Sequence, residues 1–110
     1  MLLELGGNDA AIIGPDMTIG DQLVEQLVTA TYTTGGQVCM AIKRLYAPRD
    51  RVNELSEAVL ARCEREVVGD GLASEVTLGP LHTAAGRDRV ETLVKDAAAQ
   101  GATVCTAGRS

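Results

Sequence analysis

The feature that most limits the fold is a short apolar run at residues 10–13 (AAII), which a Gly-Pro pair stops at 14–15. The run does not alternate between apolar and polar residues, so it is typical of a strand covered on both faces, as in a parallel sheet. A second strand is predicted at 42–47 (IKRLYA), with a helical pattern before it. Parallel strands need a crossover of this kind, and the pattern therefore predicts a β-α-β unit.

The crossover helix is predicted to begin at 16–18, where Thr18 and Asp21 have the spacing of a capping box, and to end at the glycines 35–36. Its apolar residues recur at helical spacing, which predicts one buried face. The members of that face are Ile19, Leu23, Leu27 and Ala30, with Val24 and Val28 beside them.

The remaining segments continue the alternation of strands and helices. A second helix is predicted over 51–66 with Asp50 as its N-cap, then a long ordered loop over 67–80, and a third helix over 83–100 with Gly101 after it. The predicted apolar faces are Val52, Leu55, Val59 and Cys63 in the second helix, and Val90, Leu93, Val94 and Ala97 in the third. Short strands are predicted at 2–5 and 103–106. The predicted fold is one α/β domain over residues 1–110, with a mostly parallel sheet and flanking helices.

Composition narrows the class of partner. The net charge of -5 argues against nucleic acid or an anionic membrane surface. No apolar run approaches the roughly 20 residues that span a bilayer. Three widely spaced cysteines and one histidine match neither a disulfide framework nor a metal site, so we expect no metal and a reducing, cytoplasmic location.

Cys39 is the candidate nucleophile from the residues alone. It follows two glycines, and a cysteine on a glycine-hinged turn lets backbone lie close to a bound substrate. Because a thiol is mostly protonated near neutral pH, it needs a base or a lowered pKa. His82 is one candidate base, although its position is typical of a surface loop. Glu4 is the other, since desolvation between two leucines should raise its pKa. Taken singly, each residue also has an ordinary structural explanation.

Four motifs carry a family resemblance: 3–7 (LELGG, with Glu4), 36–39 (GQVC, with Cys39), 68–71 (VGDG) and 78–81 (LGPL). With these motifs the chain resembles the aldehyde dehydrogenase superfamily over essentially its whole length. The paired glutamate and cysteine motifs are highly specific. The resemblance implies a partial catalytic domain.

The resemblance also implies roles for three residues. Cys39 would attack an aldehyde to form a thiohemiacetal, which passes hydride to the nicotinamide of NAD or NADP and leaves a thioester. Glu4 would act as general base for the deacylating water or the thiol, and the backbone carbonyl of Leu5 would lie near the nicotinamide amide. The Cys39 amide would contribute to an oxyanion hole. A carboxylate can replace histidine as the base because no amine or alcohol leaves, and only a water needs activation.

The chain also departs from the family pattern. Asn8 stands where lysine is common, which leaves the subfamily open, and the helix before Cys39 is slightly longer than usual. No glycine-rich dinucleotide fingerprint is present. The resemblance places the cofactor domain and an asparagine oxyanion donor upstream, and a ribose-binding glutamate downstream.

We therefore expect the first half of a catalytic domain, which acts on a small-molecule aldehyde but binds no NAD or NADP by itself. The alternative is an inactive fragment or remnant that acts only as a self-associating fold. A homo-oligomer is expected in either case, because uncovered strand edges and apolar surface favour association. A cysteine hydrolase that pairs Cys39 with His82 is less favoured, since nothing in the sequence places the two together.

Overall fold

The computed structural model describes residues 1–3 and 5–110, and its centre is a pair of parallel strands. These are β1 (Asp9–Ile12) and β2 (Ile42–Tyr46), joined by hydrogen bonds along their length. The prediction of an α/β fold with a parallel sheet and flanking helices is confirmed.

The crossover contains α1 (Asp21–Tyr32), which begins later than predicted. Residues 14–17 form a turn instead, in which the Met17 N–H donates to the Gly14 carbonyl, and Arg51 donates to the carbonyls of Pro15 and Met17. Gly20 is the N-cap and no side chain caps the helix, so the capping box predicted at 18–21 is wrong. The 14–17 turn uses the residues that would have formed the first helical turn.

The second helix, α2 (Val52–Cys63), follows a single 3₁₀ turn at Arg49–Arg51. Asp50 lies inside that turn, so its predicted role as N-cap is wrong. The helix ends at Cys63, short of the predicted residue 66. On its predicted inner face Leu55 and Cys63 are buried, whereas Val52 is exposed.

The core lies where α1 and α2 pack against each other and against the strands. Its buried members form two groups, one of Ile13, Leu27 and Leu55, and one of Val24, Val28 and Cys63. All are aliphatic side chains or a thiol, which suits a chain with no phenylalanine or tryptophan. Among the predicted α1 residues, Val24 and Val28 are more deeply buried than Leu23, and Ala30 is exposed.

The third helix, α3 (Ala84–Ala99), has the predicted ends. The Thr83 hydroxyl accepts a hydrogen bond from the Gly86 N–H, and Gly101 takes the left-handed conformation (φ 91°) expected after a helix. Its predicted inner face is wrong, however, because α3 has no buried residue. Val90, Leu93 and Val94 are 51%, 56% and 43% exposed, since no described element covers that side. No helix among the described residues is both long enough and apolar enough to cross a membrane.

The two terminal strands that the sequence predicts are not formed in the described residues. Residues 2, 3 and 5 are in no strand, and 103–106 are irregular, because a strand needs a partner for its backbone groups. Near the second segment, a single parallel bridge pairs Val67 with Arg109 instead. The ordered loop at 67–80 is confirmed, and a second bridge joins Val68 to Leu78 within it.

A charged network ties α1, α2 and this loop together. Glu66 is only 8% exposed, and it accepts hydrogen bonds from Arg62 and from the Thr77 hydroxyl. The other side of the Arg62 guanidinium donates to both carboxylate oxygens of Glu25. A single guanidinium therefore joins a surface carboxylate to a buried one.

The network predicts a loss of stability in acid. The hydrogen bond from Arg62 holds the pKa of Glu25 below its ordinary value. The folded chain therefore binds fewer protons at Glu25 than the unfolded chain, so this contribution is complete above the unfolded pKa. It is lost as pH falls through the lower, folded pKa. We expect the melting temperature to decrease as the pH is lowered from about 5, and to decrease less steeply in Glu25→Gln.

The matched control is Glu57→Gln, which removes an exposed carboxylate of α2 that joins none of the ion pairs of the described residues. Its acid slope should match that of the parent chain. Identical slopes for the parent and Glu25→Gln would contradict the prediction.

Candidate functional site

Cys39 lies on a tight turn immediately before β2. The turn is closed by the Ala41 N–H, which donates to the Val38 carbonyl at 3.2 Å. The Cys39 side chain is exposed and its thiol is free. The predicted position, on a turn between a helical segment and a strand, is the one the structure has.

The approach to this turn is left-handed over three consecutive residues. Thr34, Gly35 and Gly36 have φ values of 53°, 65° and 72°. A Cβ on Gly36 would stand 3.2 Å from the Thr31 carbonyl oxygen, so both conformation and space favour glycine there. Thr34 adopts a conformation that few residues other than glycine, asparagine and aspartate take readily. The glycine hinge predicted before Cys39 is therefore longer than the two glycines.

Two polar side chains that the sequence interpretation left without a role hold this loop. The Gln37 amide donates to the Thr34 carbonyl at 3.0 Å and accepts from the His82 N–H at 2.8 Å. From β2, the Lys43 ammonium donates to the Gly36 carbonyl at 2.7 Å. The sequence could not predict these contacts, because a single glutamine and a single lysine near a cysteine form no repeating pattern.

The proposed base and the proposed cofactor contact lie at the start of the chain. Glu4 lies outside the described residues. Leu5 is 86% exposed. A few residues later, the Asn8 carbonyl accepts two hydrogen bonds from Arg44, at 3.1 Å from Nε and 2.8 Å from Nη2. The structure thus fixes Asn8, the residue that follows LELGG, to the strand that follows Cys39.

His82 is brought near the Cys39 loop through its backbone only. Its N–H binds Gln37, and within the described residues no hydrogen bond joins its imidazole to Cys39. His82 is exposed, as predicted for a loop position. These contacts give no support to a Cys39–His82 hydrolase.

The other two cysteines differ from each other. Cys63 is buried, and desolvation together with the nearby Glu66 raises the pKa of its thiol. Cys105 is exposed and lies in the segment 103–106, where the predicted strand is not formed.

Thiol labelling should follow this order of exposure. In the folded chain, iodoacetamide should modify Cys39 and Cys105 readily and Cys63 slowly, because Cys63 is both buried and held as the unreactive thiol. Peptide mapping by mass spectrometry over time measures the three rates. In urea the three rates should converge, which serves as the control. Equal rates in buffer would contradict the packing of Cys63.

One cavity of the described residues is a groove of about 540 Å³. Its lining includes Tyr32, Leu45, Val59, Cys63 and Cys105, but not Cys39, and its only charged members are Glu57 and Glu66. A dinucleotide pyrophosphate needs cations or a row of backbone N–H groups, and the lining of this groove contains no cationic side chain. This groove therefore does not fit a dinucleotide. No cluster of three or more metal-binding side chains occurs in the described part of the chain.

Comparisons with known proteins agree on one family. A family model described as "Aldehyde dehydrogenase family" matches residues 1–110. A succinate-semialdehyde dehydrogenase [NADP(+)] of Mycobacterium leprae is 40% identical over 108 residues, which is 98% of this chain. The match covers 23% of that protein.

Solved structures give the same result. A succinate-semialdehyde dehydrogenase from Burkholderia pseudomallei superposes with a TM-score of 0.87 at 34% identity, over 94% of this chain and 21% of its own. A betaine aldehyde dehydrogenase from Staphylococcus aureus, solved with NAD+, has a TM-score of 0.85 at 28% identity, over 94% and 20%. The chain thus spans about a fifth of the length of the proteins it matches.

Proposed function

The chain belongs to the aldehyde dehydrogenase family, and on that premise we propose that it is the segment that carries the nucleophile of an NAD(P)-dependent aldehyde dehydrogenase. The reaction is the oxidation of a small-molecule aldehyde to a carboxylic acid, with Cys39 as the nucleophile. The observation that carries the proposal is the exposed Cys39 thiol on a turn that a left-handed loop and the Gln37 side chain hold in place.

The first step uses two groups of the same residue. The Cys39 thiolate attacks the carbonyl carbon of the aldehyde, which forms the S–C bond and moves an electron pair onto oxygen. The Cys39 amide N–H has no acceptor among the described residues, so it is available to donate to that oxygen. A nucleophile and an oxyanion donor on one residue address both atoms of the carbonyl group.

The later step needs a base, and we propose Glu4. A water that Glu4 deprotonates would attack the carbonyl carbon of the thioester; the C–S bond would then break, which releases the carboxylic acid and returns Cys39 as a thiolate. The hydrogen bonds from Arg44 to the Asn8 carbonyl support this pairing, because they bind the segment after Glu4 to the strand after Cys39.

NAD or NADP supplies the hydride acceptor of the reaction. We propose the Leu5 carbonyl as the contact of this segment with the nicotinamide amide, and assign the rest of the dinucleotide site to other parts of the enzyme, since the groove described above does not fit it. The relatives act, by their names, on succinate semialdehyde and betaine aldehyde, which indicates small polar aldehydes as substrates. A reducing cytoplasm would keep Cys39 as a thiol.

A graft tests the proposal in a complete enzyme. Residues 1–110 would replace the matching segment of the Mycobacterium leprae succinate-semialdehyde dehydrogenase, which is 40% identical. We expect the graft to reduce NADP+ when succinate semialdehyde is added, with NADPH absorbance as the measurement. A folded graft that binds NADP+ but oxidises no aldehyde would contradict the proposal.

The alternative of an inactive, self-associating fold gains no support from the comparisons, whose named proteins are dehydrogenases. Homo-oligomer formation stays a prediction. Light scattering of the 110-residue chain at micromolar concentration tests it, and a compact monomer would contradict it.

A further inference from the structure

The Gln37 side chain bridges two loops that are distant in sequence. We propose that Gln37 is a positioning residue for Cys39. The side-chain amide of Gln37 fixes the turn that carries Cys39 against residues 80–82. The proposal rests on the proposed role of Cys39 as nucleophile. Gln37 itself touches no reacting atom in it.

The partners of Gln37 require an amide. Its Nε2 donates to the Thr34 carbonyl at 3.0 Å and approaches the Pro80 carbonyl at 3.5 Å, and both of these oxygens only accept. Its Oε1 accepts from the His82 N–H at 2.8 Å, and that group only donates. A carboxylate would keep the bond to His82 but would face two carbonyl oxygens with no proton to share. A methionine would lose every contact.

Apart from the Gln37 contacts, the hydrogen bond from the Lys43 ammonium to the Gly36 carbonyl anchors this loop. Thr34 takes a left-handed conformation, and its carbonyl accepts from both the backbone N–H and the side chain of Gln37. Cys39 and Met40 are exposed, and Ala41 is the one buried residue of the described stretch 33–41. Within the described residues, the bonds of Gln37 to Pro80 and His82 are the hydrogen bonds that join this stretch to 79–82. Polar contacts, and not apolar packing, therefore set where the loop lies.

The position of the loop matters because Cys39 uses two groups at once. The Cys39 sulfur must reach the carbonyl carbon while the Cys39 N–H points at the carbonyl oxygen, and a displacement of about 1 Å can cost up to about a hundredfold in rate. Loosening the Gln37 contacts should therefore slow the chemical step and leave binding of the aldehyde nearly unchanged.

Hydrogen exchange of the 110-residue chain tests the contacts directly. Among the amides of 37–41, those of residue 37 and Ala41 are hydrogen-bonded, to the Thr34 and Val38 carbonyls. In Gln37→Glu, these two amides should exchange at least about fivefold faster, since the side-chain donor to Thr34 is gone, while the His82 amide stays protected. In Gln37→Met, the His82 amide should exchange faster as well. The difference between Gln37→Glu and the parent should shrink as pH approaches the ordinary carboxyl pKa, because a protonated glutamate can donate again.

Gln22→Glu is the matched control, since it makes the same chemical change at an exposed position of α1. Protection of Cys63 from alkylation reports whether each variant keeps its core. Unchanged exchange at residue 37, at Ala41 and at His82 in both Gln37 variants would overturn the proposal.

Kinetics of the graft provide the second readout. In Gln37→Glu, kcat should fall about tenfold to a hundredfold with KM within about twofold of the parent graft. An unchanged kcat would refute the positioning role. An active Cys39→Ala graft would instead contradict the proposed function itself. The two experiments therefore distinguish a failure of the positioning role from a failure of the proposed function.

Discussion

Replacing Cys39 with alanine in the graft should lower the rate of aldehyde oxidation by about a thousandfold or more, since removal of a covalent nucleophile typically has effects of at least this size. Without the sulfur no covalent intermediate forms, and the alanine methyl group offers no other route. The Cys39 position is exposed, so the substitution leaves no cavity in the core. NADPH absorbance measures the rate, and NADP+ affinity reports whether the variant still folds.

Cys105→Ala is the control for this experiment. Cys105 is an exposed thiol like Cys39 but lies outside the glycine-hinged loop, so its removal should leave the rate within about twofold of the parent graft. Equal losses in the two variants, or an active Cys39→Ala graft, would show that Cys39 is not the nucleophile.

Replacing Leu55 with alanine should lower the free energy of unfolding of the 110-residue chain by about 2–5 kcal/mol. Leu55 is 3% exposed and packs with Ile13 and Leu27 where α1 and α2 meet the strands. The smaller side chain leaves a cavity that this junction cannot close, because its neighbours are held by three different elements. Small domains have only about 5–15 kcal/mol in total, so the variant should unfold at much lower urea.

Leu93→Ala makes the same chemical change in α3 and is the matched control. Leu93 is 56% exposed, so its loss should cost less than about 1 kcal/mol. Urea titration followed by circular dichroism measures both variants. Similar midpoints for Leu55→Ala and Leu93→Ala would contradict the core described above.

Local pattern predicted the elements whose partners are close in sequence. The β-α-β unit consists of the apolar run at 10–13, the helix that follows and the strand at 42–46. Each of these elements packs against elements that are its neighbours in the sequence. The ends of α3 were predictable for the same reason, since Thr83 and Gly101 act within one helical turn.

Predictions that depended on a distant partner were less successful. The apolar face of α3 follows helical periodicity, but periodicity does not say which element covers a face. The strand expected at 103–106 has β-branched residues but no ladder partner. Near α1, the capping box at 18–21 is replaced by the turn that Arg51 holds, through bonds that cross more than thirty residues of sequence.

The same difference between local and distant partners applies to the predictions about the candidate site. Glycines beside a cysteine predicted the position of Cys39, because conformational freedom is a local property. The bond between Gln37 and His82 joins a side chain to a remote backbone group, and no spacing rule encodes it. The prediction that Glu4 is the base falls outside the described residues and stays a prediction.

The two accessible thiols have a consequence for oxidation of the purified chain. A protein with one accessible thiol can form a disulfide with one other copy, so oxidation stops at a covalent dimer. With both Cys39 and Cys105 exposed, each copy can bond to two others, and air oxidation should produce open-ended covalent polymers. In light scattering such polymers would resemble non-covalent association, but a reductant would separate them. In a variant that lacks either Cys39 or Cys105, oxidation should stop at the covalent dimer.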